Sequence, residues 1–139
     1  MSSKLASVIA FFLGVAMAGN GAYMSYAPDT WYRQVPGVTA SGPFNPHFIV
    51  DIGLIYLLVG AAYLIGIAWR RQRIGLWLFA TAWLAGHALF HLLEAIDSDV
   101  TAAAMRRDFI GVTLPALLGM ALVINTALSN IPGARDTPA

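Results

Sequence analysis

"NPHFIVDIGLIYLLVGAAYLIGIAWRRQR", Asn45 to Arg73, decides the fold. Asn45 is suited to cap a helix, and Pro46 to occupy its first position, where a missing N–H does no harm. From Pro46 to about Trp69 the chain is apolar over the length of roughly 20 residues that a bilayer core requires. The basic run Arg70, Arg71, Gln72, Arg73 then stops it. Inside this apolar stretch sit two ionisable residues, His47 and Asp51, four positions apart.

The rest of the chain repeats the pattern. Of its 139 residues 58% are hydrophobic and 11% charged, with mean hydropathy +0.68. Soluble domains carry about a quarter charged residues, so the composition implies an all-α integral membrane protein, a four-helix bundle in one domain covering residues 1–139. Spans are expected at about 5–23, 46–69, 74–96 and 108–129. The first competes with a signal-peptide reading, because Lys4 precedes an apolar run and "AMA" resembles a cleavage site. The run is long for a signal segment and continues through "GNGAYMSY", which favours a retained helix.

No cysteine is present, which removes disulfides, thiolate metal sites and cysteine nucleophiles. A net charge of +1 without a basic patch argues against nucleic acid as a partner. The sequence holds neither a phosphate-binding glycine loop nor a nucleophile constellation.

Four spans put Lys4, Arg70, Arg71, Arg73 and Arg135 on one side and Arg33, Arg106 and Arg107 on the other. The positive-inside rule then places both termini and the 70–73 loop in the cytoplasm. Asp29, Asp51, Glu94, Asp97, Asp99 and Asp108 fall in or near the outer half, and Asp136 inside. The connection from about Ala27 to Asn45 is rich in Pro, Gly, Trp and Tyr, which suits a cap on the outer mouth of the bundle. Trp31, Tyr32, Tyr23 and Tyr26 read as an interfacial belt, and Pro115 is expected to bend the fourth helix.

His47 and Asp51 share one helix face, and "GHALFHLLE" sets His87, His91 and Glu94 on a single stripe of the third span. Both stripes belong to the outer half, so an antiparallel pair can bring three imidazoles and two carboxylates to one level. Ionisable groups at the centre of a span cost about 2.5–3.5 kcal/mol on insertion scales. His47, Asp51, His87, His91 and Glu94 are therefore candidate ligands for Zn, Fe or Cu. Haem is the weaker option, with His47 and either His87 or His91 as axial ligands. The competing readings are a structural hydrogen-bond network between helices and a proton or ligand relay. The di-iron bundle pattern fits poorly, since the order here is His-x-x-Glu and it occurs once.

"WYRQVPGVTASGPFNPHFIVDIGLIYLLVGAAYL", Trp31 to Leu64, with "GHALFHLLEA", Gly86 to Ala95, resembles a group of small bacterial four-helix inner-membrane proteins. That group is similar to the DoxX-like membrane proteins. The resemblance covers about the middle two-thirds of the chain and implies the four-helix fold, a bacterial inner-membrane location and polar positions at His47, Asp51, His87, His91 and Glu94. It brings no activity of its own. DoxX-like proteins include subunits associated with respiratory oxidoreductases, which tilts the expectation toward redox work.

Two functions follow as expectations. One is a membrane metalloprotein, an oxidoreductase acting on a small lipophilic substrate such as a quinone, with Asp51 and Glu94 as ligands or as groups orienting the imidazoles. The other is an accessory or interaction subunit of a larger membrane complex, or a homo-oligomer, with a structural polar network and no catalysis. In either case the lipid bilayer is the surrounding partner.

Overall fold

Three side-chain caps, from Ser2, Asn45 and Thr101, set helix starts in the computed structural model, which describes residues 1–97 and 101–130. Helix α1, Ser3–Tyr26, opens with the Ser2 hydroxyl accepting from the Leu5 N–H at 3.2 Å. A short helix α2, Pro28–Gln34, and a 3₁₀ turn, Val38–Ala40, lie in the following connection. Helix α3, Pro46–Ala68, begins as its sequence implies, with Asn45 Oδ1 accepting from the Phe48 N–H at 3.1 Å and proline at the first position. Helix α4 is Arg73–Asp97. Thr101 caps α5, Ala102–Asp108, and α6 runs Leu114–Ser129. No strand occurs among the described residues.

Between α5 and α6 the backbone widens into a π-helical turn, Phe109–Thr113, so that Ala102–Ser129 is one continuous apolar helix. Pro115 has no N–H to give to the carbonyl one turn back and its ring crowds that carbonyl. The wider turn, closed by the Leu114 N–H on the Phe109 carbonyl, takes up the misfit. Four helices are thus long and apolar enough to cross a membrane: Ser3–Tyr26, Pro46–Ala68, Arg73–Ile96 and Ala102–Ser129. The fourth starts six residues before the expected 108.

The closest helix pair is α1 with α3, and glycine makes it so. A side chain on Gly60 would meet the Ala18 N and the Gly14 carbonyl at 2.5 and 2.7 Å, and one on Gly21 would meet the Gly53 carbonyl at 2.5 Å. The two backbones therefore touch at two levels, seven residues apart along each helix, and the order of the pairs makes the helices antiparallel. Small residues at such crossings replace the hydrophobic drive that bilayer-embedded helices lack.

The second junction joins α3, α4 and α6. Trp77 and Tyr63 are fully buried, with Leu122 and Val59 beside them in the core. The Tyr63 and Thr81 hydroxyls share a hydrogen bond at 2.9 Å, packed against Gly119 of α6. The Trp77 indole N–H donates to the Tyr63 carbonyl at 3.1 Å, in space left open by Gly66.

Arg73, read from the sequence as part of a stop signal, does more. Its Nε and Nη2 donate to the Gly66 and Ile67 carbonyls at 2.8 and 3.0 Å, and its guanidinium lies 4.9 Å from the Trp77 ring centroid. It thereby satisfies carbonyls that the end of α3 leaves without helical partners.

Candidate functional site

The rotation of α3 separates the two ionisable stripes. Its buried residues include Ile49, Gly53, Val59, Gly60 and Tyr63. His47 and Asp51 each precede a buried residue, Ile49 and Gly53, by two positions, about 200° around the helix. They therefore point away from the packed face. Their side chains are 89% and 55% exposed, and His47 Nε2 lies 3.4 Å from Asp51 Oδ2. The pair exists as the spacing implies, but on the outside of the bundle.

His87 and His91 continue the buried stripe of α4 that runs through Trp77, Ala80, Thr81 and Leu84. The His87 ring stacks on Trp83 at 5.1 Å with 16° between planes, and meets Tyr56 edge-on at 6.3 Å. Tyr56 in turn packs edge-on against Trp83 at 4.8 Å. His91 sits edge-on to His87 at 4.8 Å. The aromatic wall built by Tyr56 and Trp83 was not anticipated from the sequence.

The carboxylate that joins these imidazoles is Asp108. His91 Nδ1 lies 3.5 Å from Asp108 Oδ2, and both side chains are less than one-third exposed. Arg107 Nε donates to Asp108 Oδ1 at 2.7 Å. The Arg107 guanidinium lies against Gly37, whose φ of 88° needs glycine and whose missing Cβ leaves it room. A chain of contacts thus runs from Trp83 through His87, His91 and Asp108 to Arg107 and the 27–45 connection. Glu94, although on the histidine stripe, is exposed and enters none of these contacts.

Asp108 was legible in principle. It and His91 lie about equally far along the chain from the break between α4 and α5, which sets them at one depth in an antiparallel pair. The glycines of the α1–α3 crossing likewise mark the packed face of α3 and leave His47 and Asp51 off it.

Among the described residues, no three His, Asp or Glu side chains come together in an arrangement that holds a metal ion. The five expected ligands divide instead into His47 with Asp51 outside, His87 with His91 inside, and Glu94 apart. No buried side-chain nitrogen or oxygen among the described residues lacks a hydrogen-bond partner.

Above this cluster the 27–45 connection is fastened to α1. The Trp31 indole N–H donates to Asn20 Oδ1 at 3.0 Å, and the Tyr23 hydroxyl donates to Gln34 Oε1 at 2.8 Å. Asn20 is therefore the anchor of a capping helix. The Tyr32 hydroxyl donates to the Gly42 carbonyl at 2.7 Å, with its ring against Phe44. On α2 the Arg33 guanidinium forks onto Asp29, which holds that carboxyl below its usual pKa.

No protein-family model, no curated protein and no solved structure matches this chain.

Proposed function

We propose that the chain is a multi-pass membrane protein of four spans that serves as an accessory or interaction subunit of a larger membrane assembly. In this reading the His–Asp network fastens helices and does no catalysis. The observation that carries it is the distribution of polarity. Outside, Phe12, Leu58, Phe79 and Ile110 are each more than 60% exposed, a surface suited to lipid or to neighbouring apolar helices. Inside, the buried polar side-chain atoms of the described residues all have partners within the chain. A bacterial inner-membrane location is what the DoxX-like resemblance implies, and cytoplasmic termini are what the arginine distribution implies.

A second reading, the membrane metalloprotein, is favoured by one observation. His87 and His91 touch, and Asp108 adjoins His91, so two imidazoles and a carboxylate are close together. Zn, Fe or Cu would take such donors, and a redox metal there would suit oxidation or reduction of a quinone-like molecule. His87 and His91 would then be the ligands, with Asp108 orienting His91, in place of His47, Asp51 and Glu94.

Purification in mild detergent, followed by mass spectrometry and metal analysis, separates the two. The subunit reading expects a stoichiometric partner protein and metal that does not respond to His87→Ala or His91→Ala. A monodisperse homo-oligomer without partner, holding stoichiometric metal that both variants lose, would replace it with the metalloprotein. Topology is tested separately by reporter fusions after Gln72 and after Ser98. The expected answers are cytoplasmic and external, and matching answers would remove the four-span arrangement.

A further inference from the structure

The opposite end of the bundle holds a second polar place, unrelated to the histidines. The start of α1, the turn between α3 and α4, and the end of α6 border a partly open cavity of about 430 Å³. Ser3, Arg70, Arg73, Asn125 and Thr126 contribute to its lining.

Among the described residues, charge at this end is one-sided. Lys4, Arg70, Arg71 and Arg73 gather here, whereas every acidic residue among the described ones, Asp29, Asp51, Glu94, Asp97 and Asp108, belongs to the other end. The first turn of α1 adds the positive end of a 24-residue helix. Arg73 is held in place by its two bonds to the end of α3 and by the Trp77 ring. Those bonds use two of the five N–H donors that a guanidinium carries. Arg70 is exposed at the rim. Asn125 brings a side-chain amide, and the Thr126 hydroxyl is turned onto the Leu122 carbonyl at 2.8 Å.

Two guanidiniums, an amide and a serine hydroxyl around one concave space, without a carboxylate among the described lining, are donors seeking a compact anion. Guanidinium groups match phosphate oxygens in fork geometry. We propose that this cavity binds a phosphate group, and that its source is the headgroup of an anionic phospholipid. The phosphate chemistry follows from the lining alone. The lipid source rests on the membrane reading, which sets the Arg70–Arg73 turn at headgroup level, where basic side chains next to a span attract anionic lipid.

The test uses the full chain in detergent, with native mass spectrometry and three proteins: wild type, Arg70→Gln, and Arg71→Gln. Arg71 is outside the lining, so its variant loses the same charge from the same turn. Phosphatidylglycerol, phosphatidylcholine and inorganic phosphate are the probes. The expected result is one retained phosphatidylglycerol per chain, with affinity reduced about tenfold or more in Arg70→Gln and nearly unchanged in Arg71→Gln. Phosphatidylcholine should bind more weakly, because its headgroup is neutral overall.

Inorganic phosphate bound with the same dependence on Arg70, in the absence of lipid retention, would overturn the lipid source and leave a soluble anion. Equal losses in both arginine variants would overturn the site, since only diffuse charge would then be at work. Binding of no probe would overturn it as well. Arg70 is exposed, so its variant is expected to fold, and matching unfolding midpoints for the two variants without probe confirm that. The reporter fusions test the membrane reading independently, so its failure is distinguishable from failure of the phosphate site.

Discussion

His91 Nδ1 and Asp108 Oδ2 stand 3.5 Å apart, on two helices that the chain connects through residues 98–101. This pair ties α4 to the fourth membrane-length helix just before its π turn. Asp108 also accepts from Arg107, whose guanidinium rests on Gly37, so one carboxylate links both helices to the 27–45 connection.

The first prediction concerns that link. His91→Leu and Asp108→Asn should each lower the unfolding midpoint in detergent, and the double variant should lose less than the two combined. At 3.5 Å and partial exposure the coupling is expected to be about 1 kcal/mol or less. Strict additivity would mean the two side chains are neighbours without energetic contact.

The α1–α3 crossing gives a sharper contrast. Gly60→Ala places a methyl group against the backbone of Ala18 and Gly14, which cannot rotate away, and should cost about 1–3 kcal/mol. Gly86→Ala, on α4, meets nothing within 4 Å and should be neutral or stabilising by up to about 1 kcal/mol, the usual gain of alanine over glycine in a helix. Thermal unfolding of both variants checks this, and equal effects would refute the crossing.

The buried Tyr63–Thr81 bond should behave as a unit. Tyr63→Phe leaves the Thr81 hydroxyl, in a residue 4% exposed, without that partner, and a loss of about 1 kcal/mol is expected. Thr81→Val should cost a similar amount, and the double variant less than the combination, because each single change strands the other group. A double-mutant cycle measures it.

Acid should weaken the Arg33–Asp29 fork on the capping helix, a small effect for an exposed pair. Hydrogen bonds from Arg33, the largest cause, with its positive charge adding to them, hold the Asp29 carboxyl below its ordinary value of 3.8. A depressed carboxyl pKa contributes stability that is fully present above the ordinary value and is lost as pH falls through the lower folded one. The Trp31 indole N–H signal, bonded to Asn20, should therefore stay unchanged in NMR spectra from neutral pH down to about pH 4 and shift only below it. Asp29→Asn should remove that acid-dependent step, and its persistence would assign the step to another group.

Local chemistry was legible in this sequence. The Asn45–Pro46 start of α3, the arginine stop after it and the four apolar stretches depend on side chains acting within one turn or on hydropathy added along one helix. Such signals need no knowledge of neighbours. The stripes of His47 with Asp51 and His87 with His91 were legible for the same reason, because helical spacing alone sets them.

What those stripes face is a different matter, decided by how far each helix is rotated about its axis. Close backbone contact at Gly14 with Gly60 and Gly21 with Gly53 sets that rotation for α3, and it turns His47 and Asp51 outward. The α3–α4–α6 junction, built on Trp77, Tyr63 and Gly119, turns His87 and His91 inward to Trp83 and Asp108. The same junction sends Arg73 back onto the carbonyls of α3. Each of these outcomes depends on the shape of a second helix, and only the packed bundle supplies it.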